Sequence, residues 1–464
     1  MSTDTLPAAN TDGAALPHMP EDGLADSKPE VTQVVAAATP TRPGRDAWLV
    51  LVGSWLLLFT TFGYTNAFGV YQDLLTTSKT STPSNISWIG STQLFFFNAM
   101  ALPAGRLLDK GYFRQTMVIG SVLYVFSLFM VSLAHVSSYY QMYLSLGIGM
   151  GLGSGLLYVP AVAIQAHYWK ERRALAMGAV ITGSSVGGII YPILLNQLYF
   201  DRQIGFGPSV RATAYLTLGL LALANGLMLL GLSTSNAKRS APPPRAFSLK
   251  DVLTDATYIV SVAGFFLVFW GLFFPYFYLQ LFTISHGLDA TFGFYTVRPA
   301  LSSRHPLRLL LPSQLAILNA SSVFGRTIPN MLADYFGPMN ALTAVSFGAG
   351  ILILGLFGVS TVAGVAVFAV LYGFFSGAVL SLVSPTLASL SPHPSQIGVR
   401  LGLAFFIGSV CNLTGTPIDG ALLTAGPYYW YRPIIFSATV ILVGAFVIGL
   451  GRTMNARRRD TPWV

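Results

Sequence analysis

The chain has 464 residues, 53% of them hydrophobic and only 9% charged, against roughly 25% charged in a soluble domain. That much apolar side chain cannot be hidden inside one globule, so a soluble enzyme is excluded. The formal charge of +9 does not point to nucleic acid either, because the basic residues gather at the ends of apolar runs, where membrane topology explains them better.

Residues 1–44 are rich in Ala, Pro, Thr, Asp and Glu without a periodic apolar face, which predicts a disordered tail. No signal peptide opens the chain, so the first apolar run is expected to act as an uncleaved signal anchor. From there the sequence breaks into apolar runs of about 18 to 25 residues, the length of a helix that crosses some 30 Å of hydrocarbon. Runs such as Ile435 to Leu450 do not alternate as the strands of a membrane β-barrel must. Six spans fall at 48–70, 87–108, 115–135, 139–164, 174–196 and 212–232. The stretch 233–256 carries Lys238, Arg239, Pro242 to Pro244, Arg245 and Lys250 and is too charged to cross, so it reads as a cytoplasmic linker. Six more spans follow at 257–282, 315–332, 340–359, 362–388, 401–424 and 432–451, before a basic tail at 452–464.

The expected architecture is therefore an all-α membrane protein of about twelve transmembrane helices in two six-helix halves, 45–232 and 257–451. With the amino terminus inside, sixteen Lys and Arg near span ends face the cytosol and seven face out, which predicts that both ends are cytoplasmic. The halves also resemble each other. A turn with Asp and Gly follows the second span of each, Asp109-Lys110-Gly111 and Asp334-Tyr335-Phe336-Gly337. A Pro-bearing span, a polar turn and an Arg at the next helix recur from Pro160 to Arg173 and from Pro385 to Arg400. Repeats of this kind place a solute site between them near the midplane.

The lone Cys411 allows no intrachain disulfide, Cys-based metal cluster or redox pair, and no metal or cofactor is expected. Glycines at 147, 149, 151, 153 and 155 imitate a nucleotide loop but sit inside an apolar run. Their spacing of four suits close helix packing instead, and without a GxxxxGK[ST] motif direct ATP drive is unsupported. No His cluster, carboxylate pair or Ser/His arrangement converges within the spans, so no enzyme is expected.

Arg326 stands out because it lies eight residues before Asp334, about 12 Å into the helix at helical rise. An intramembrane Arg is costly and marks a functional site by default, and its planar fork suits a carboxylate. A structural pairing is the plainer alternative. The polar residues Asn66, Tyr158, Tyr276, Gln280, Asn319 and Asn412 either line a pocket for a hydrogen-bonding solute or join helices to one another. Asp109, with Lys110, can act as a conformational clamp on basic neighbours such as Arg172 and Arg173, with Asp334 as its counterpart; an ordinary topogenic loop is the alternative. Asn85-Ile86-Ser87 is a glycosylation sequon in the first outer loop. Asn319-Ala320-Ser321 and Asn412-Leu413-Thr414 match the pattern inside spans, leaving Asn85 as the acceptor.

These residues carry a resemblance. Gly105-Arg106-Leu107-Leu108-Asp109-Lys110-Gly111-Tyr112-Phe113-Arg114 resembles the loop between the second and third spans of the major facilitator superfamily, one residue shorter than its usual form. Tyr168-Trp169-Lys170-Glu171-Arg172-Arg173-Ala174-Leu175-Ala176-Met177-Gly178, continuing to Gly183 and Gly187, resembles the fifth-span signature of the monocarboxylate-transporter family. Asp46-Ala47-Trp48 resembles part of its first-span signature, and the likeness, over about 48–450, is nearest to fungal members. It implies alternating-access transport of a small organic acid or metabolite, with a proton as the candidate co-transported ion, in a monomer of the plasma membrane or an internal membrane. It also implies that Arg326, in the eighth span, meets the substrate anion. Animal lactate-type members have an Asp where this chain has Ser322, and a Lys near Gly69 and Val70, so lactate is not the expected solute. The rival reading is a non-transporting sensor of the same fold, which would need longer cytoplasmic extensions than these.

One stretch fits the design poorly. Residues 297–314 place Arg298, Arg304 and Arg308 on the outer side and separate Phe292–Thr296 from Leu315–Leu332. Val297-Arg298 can be encoded GTGCGT and Gln314 CAG, the ends of a short in-frame intron. A retained intron and a genuine outer loop are the two readings.

Overall fold

The computed structural model describes residues 44–78, 80–81, 83–202, 204–234, 252–288, 314–423 and 428–464. Every regular element among them is helical. In hydrocarbon a backbone must bond within its own segment, and a helix does so completely. Ten helices are long and apolar enough to span a bilayer. In chain order with two others they are α1 (Arg45–Thr76), α2 (Pro83–Ala99, continuing as Ala101–Asp109), α3 (Phe113–Leu133), α4 (Tyr139–Tyr168), α5 (Arg173–Tyr199) and α6 (Phe206–Leu232). Then come α7 (Ala256–Leu279), α8 (Gln314–Phe336), α9 (Pro338–Gly358), α10 (Val362–Ser389), α11 (Pro394–Leu423) and α12 (Tyr431–Arg459). The two outside the apolar ten are α2 and α8. They hold corresponding places, second in the first six and second in the last six, and each carries polar residues through its length: Gln93, Asn98 and Arg106 in α2, and Asn319, Arg326 and Asn330 in α8.

The outer faces bear large exposed apolar side chains such as Val122, Phe126, Ile351 and Phe446. A belt of this kind belongs against lipid rather than water, and the chain is an integral membrane protein. Inside, α8 packs chiefly on α10, α7 on α12, and α1 on α5 and α6. The first six helices meet the last six along two seams, α5 on α8 and α2 on α11.

Glycine sets the closeness of these seams. At the α2–α11 crossing a Cβ on Gly105 would collide with the backbone of Gly398, and one on Gly398 with the backbone of Gly105. The α4 glycines 147, 151 and 155 lie against the α2 backbone at Ile89, Gln93 and Phe96. Prolines 160, 192, 329, 385 and 417 sit inside helices, which membrane helices tolerate where neighbours take up the freed carbonyls. Asp255 caps α7 by accepting from the Tyr258 amide at 3.4 Å, and the Thr361 hydroxyl caps α10 by accepting from the Gly364 amide at 3.1 Å.

Helix bounds differ from the sequence expectation in α2 and α12. The second helix begins at Pro83 rather than 87, and α12 continues to Arg459, so residues 452–459 are helix and not tail. Past Arg459 the chain reverses at Asp460, with φ 52°, and the Val464 carbonyl accepts from the Met339 and Asn340 amides at 3.0 and 3.1 Å. All of the expected tail 1–44 but Gly44, most of the linker 233–256, and all of the stretch 297–314 but Gln314 lie outside the described residues; Gln314 opens α8.

Candidate functional site

Two carboxylates hold one end of the bundle. Asp109, the last residue of α2, accepts from the Gly398 and Val399 amides at 3.0 and 2.7 Å, in the first turns of α11. Asp334, near the end of α8, accepts from the Ala174 and Leu175 amides at 2.8 and 3.0 Å, in the first turn of α5. Each acid therefore caps a helix N-terminus that belongs to the other set of six. The orphan amides and the positive end of the helix dipole both favour a carboxylate there, and charge-assisted bonds of this kind contribute about 1.5–3 kcal/mol each. The glycines two or three residues on, Gly111 and Gly337, take φ values of 85° and 89°, a left-handed turn that an L side chain would resist.

The partners differ from those the sequence suggested. Arg172 and Arg173 act electrostatically on Asp334, not Asp109, because they open α5, the helix that Asp334 caps. Lys110 is exposed. Arg400, at the matching place in α11, is buried; it pairs with Asp255 at 2.9 Å and lies over the Tyr258 ring, and Arg458 reaches the same Asp255 at 3.4 Å.

Away from the clamped end lies a cavity of about 200 Å³, between α1 and α2 on one side and α7 and α8 on the other. Its lining includes the predicted Asn66, Tyr276, Asn319 and Arg326. Arg326 is 2% exposed. One terminal nitrogen donates to the Ile181 carbonyl at 2.8 Å and to the Ser184 hydroxyl, both on α5, while its Nε is buried without a partner. The guanidinium thus ties α8 to α5 beside the cavity. Asn66 donates to the Ser184 carbonyl at 3.4 Å, so it reaches the same stretch of α5. The Tyr276 hydroxyl shares a hydrogen bond with that of Ser376 at 3.0 Å, and Asn319 donates to Leu315 of its own helix at 3.0 Å.

Tyr158 and Asn412 line a second, deeper chamber of about 20 Å³. Its walls are aromatic: Phe62 stacks on Phe97 at 4.7 Å between ring centres, Phe97 meets Tyr158 at 4.9 Å, and Tyr158 meets Phe405 edge-on at 5.3 Å. The side chain of Gln280 lies outside the described residues. Asn85 is exposed in the first turn of α2, its amide donating to the Ser81 hydroxyl at 2.9 Å.

Sequence reasoning missed several polar residues. Thr65, Gln72, Gln93 and Gln314 line the main cavity, and Gln93 donates to the Thr65 hydroxyl at 3.3 Å. The signal was there, since each is a hydrogen-bonding residue within or beside an apolar run. Asp419 was missed as well: it is 1% exposed within α11, close enough to the end of its run to pass for a rim residue.

This arrangement, two helical sets meeting at a polar and aromatic cavity and pinned together at one end by paired acids, defines a membrane transporter that can open to either side in turn. The sequence matches the Major Facilitator Superfamily over residues 53–362, and the chain belongs to that family. It is similar to the aspyridones efflux protein of Emericella nidulans, with 37% identity over 89% of this chain and 78% of the relative. It is equally similar to the agnestins efflux protein of Paecilomyces divaricatus, with 37% identity over 88% of this chain and 87% of the relative. Among solved structures it shares its fold with the fucose:proton symporter of E. coli, with a TM-score of 0.59 at 16% identity over 86% of this chain and 98% of that one.

Proposed function

We propose that this chain is a secondary active transporter of the monocarboxylate-transporter-like branch that expels an acidic secondary metabolite from a fungal cell. The observation that carries this reading is Arg326, a cation buried at the α5–α8 seam and lining the cavity, with no carboxylate paired to it among the described residues. A buried guanidinium is expensive to maintain in a membrane, and an anionic oxygen is the group its fork fits. The mainly apolar walls, with Phe62, Phe68 and Phe273 among them, suit the carbon skeleton of such a molecule better than a sugar. Efflux is the direction that the names of the aspyridones and agnestins relatives support.

On this reading the Asp109 and Asp334 end faces the cytosol, both chain ends are cytoplasmic, the plasma membrane is the site of action, and a monomer suffices. The clamps then hold the cytosolic end shut while the cavity serves the outer side. Deleting the gene in its own host and comparing medium with mycelium by untargeted mass spectrometry tests the reading. Retention of one or more acidic metabolites, reversed by the wild-type gene and not by Arg326→Lys, is the expected result. An unchanged distribution of every acidic compound refutes it.

A further inference from the structure

We propose that Asp419 of α11 is the proton-binding site that drives transport, a site separate from Arg326 in a small chamber that neighbours the same cavity. The inference rests on the transporter reading above. Asp419 is 1% exposed, and its Oδ1 accepts from the Ser437 hydroxyl of α12 at 3.0 Å. Among the described residues the ion pairs are Arg400–Asp255 and Arg458–Asp255, so no cation pairs with this acid. The titratable groups that feel its charge are Tyr278 of α7 and Tyr372 of α10. The Tyr372 hydroxyl is committed to the Leu272 carbonyl at 2.6 Å. Arg432, at the start of α12, is exposed and lies over the Tyr429 and Tyr431 rings, and α2 contributes only the apolar Leu94.

Asp419 shares a chamber of about 10 Å³ with Asn412 and Trp270, room on the scale of a single water. The Asn412 Oδ1 and Trp270 Nε1 are both buried without a hydrogen-bond partner. An indole N–H only donates and an amide oxygen only accepts, so a water admitted to this chamber would accept from the first and donate to the second. Asn412 also lines the second chamber of about 20 Å³. That chamber in turn shares Phe62, Leu94, Phe273 and Leu380 with the main cavity. The three spaces thus adjoin one another, the first two across apolar side chains and the last two at Asn412.

The step is a proton binding and release. A hydrated proton entering from the cavity forms an O–H bond at Oδ2, the oxygen that Ser437 does not engage, and the carboxylate becomes a neutral acid. An ionised carboxylate without a cation is costly in so dry a place, so the acid keeps its proton while the clamped end is shut. When that end opens, water reaches the chamber and the proton leaves to it. A proton therefore travels inward as the metabolite travels outward.

Infrared spectroscopy of the purified protein reconstituted in phospholipid vesicles tests the site without any substrate. The wild type should show a carboxylic-acid carbonyl band at neutral pH that shifts in D2O. Asp109, whose carboxyl burial pushes up to about 7, contributes a band of its own, so Asp419→Asn should lose one component of the absorption and Asp419→Glu should restore one at a shifted frequency. A band unchanged in intensity in Asp419→Asn, or no such band at all, overturns the assignment. If Asp419→Asn does not fold, Trp270→Phe removes the indole donor while keeping the acid; the band should then move, and a stationary band overturns the proposal. Coupling is read by hydrogen exchange at Gly398 and Val399, corrected for the intrinsic pH effect. Asp109, which caps these amides and whose carboxyl burial pushes up to about 7, titrates in the same range, so the readout is the difference: between about pH 5 and 8 protection should fall further in the wild type than in Asp419→Asn. Superimposable profiles overturn the coupling. Deletion of the gene tests efflux alone, so failure of the two ideas is distinguishable.

Discussion

Asp109 and Asp334 are 225 residues apart in the chain and perform one task twice, each accepting two amide hydrogens at the first turn of a helix from the other six. The pair is a matched latch in which backbone amides make the bonds on both sides, with Arg172 and Arg173 adding charge only on the Asp334 side. Its strength comes from backbone donors whose positions are fixed by the fold.

Asp109→Asn should weaken that latch specifically. An amide oxygen can still accept from Gly398 or Val399, but the charge is gone and the NH2 group faces a donor. Loss of one charge-assisted bond, about 1.5–3 kcal/mol, should raise the open population about ten- to hundredfold. Faster hydrogen exchange at Gly398 and Val399 checks it, and Asp334→Asn should do the same at Ala174 and Leu175. Unchanged exchange at either pair means that the capping bonds do not hold that end closed.

Arg326→Lys should lower export of the acidic metabolite about tenfold or more while leaving expression and thermal stability close to wild type. A lysine can reach one α5 acceptor, the Ile181 carbonyl or the Ser184 hydroxyl, but it cannot hold these and an anion in one plane. Export measured in the gene-deletion host, beside membrane abundance of the variant, decides it. Normal export would remove Arg326 from the substrate site.

Topology yields a third test. A reporter joined after Ser240 should lie in the cytosol and one in the loop at Ser81 outside, where Asn85 should carry a glycan whose gel shift is lost in Asn85→Gln. Glycans on a reporter at 240 would sink the orientation.

The stretch 297–314 is open to a simple measurement. If it is a retained intron, mature transcripts amplified across codons 290–320 should include a form shorter by eighteen codons, and α8 then continues directly from Phe292–Thr296. Transcripts that all keep the stretch establish it as coding loop.

The helices were legible because a span must be apolar for its whole length, a signal that composition carries directly. The identity of α2 and α8 as the working helices was half visible: the Asp-Gly turns and Arg326 marked them, but their lower hydropathy was not used as a clue. The partners of Asp109 were not legible at all. Gly398 and Val399 take part through their amides, which leave no mark on residue type, whereas Arg172 and Arg173 display their charge in the sequence. Asn412 was flagged as a polar residue in a span, yet nothing in the sequence brings it beside Trp270 and Asp419, because that meeting depends on how α7 packs against α11.

The polarity of α2 and α8 also bears on how the protein is made. A charged residue at the centre of a helix costs about 2.5–3.5 kcal/mol at the translocon, so α8, with Arg326, Asn319 and Asn330, is a poor candidate to partition into lipid alone. Its main packing partner is α10, which emerges from the ribosome only after α9. The helix therefore has to wait in the insertion machinery, or at its edge, for a partner not yet synthesised. Variants that make α8 more apolar should insert sooner and export less, setting biogenesis and activity against each other in one segment of the chain.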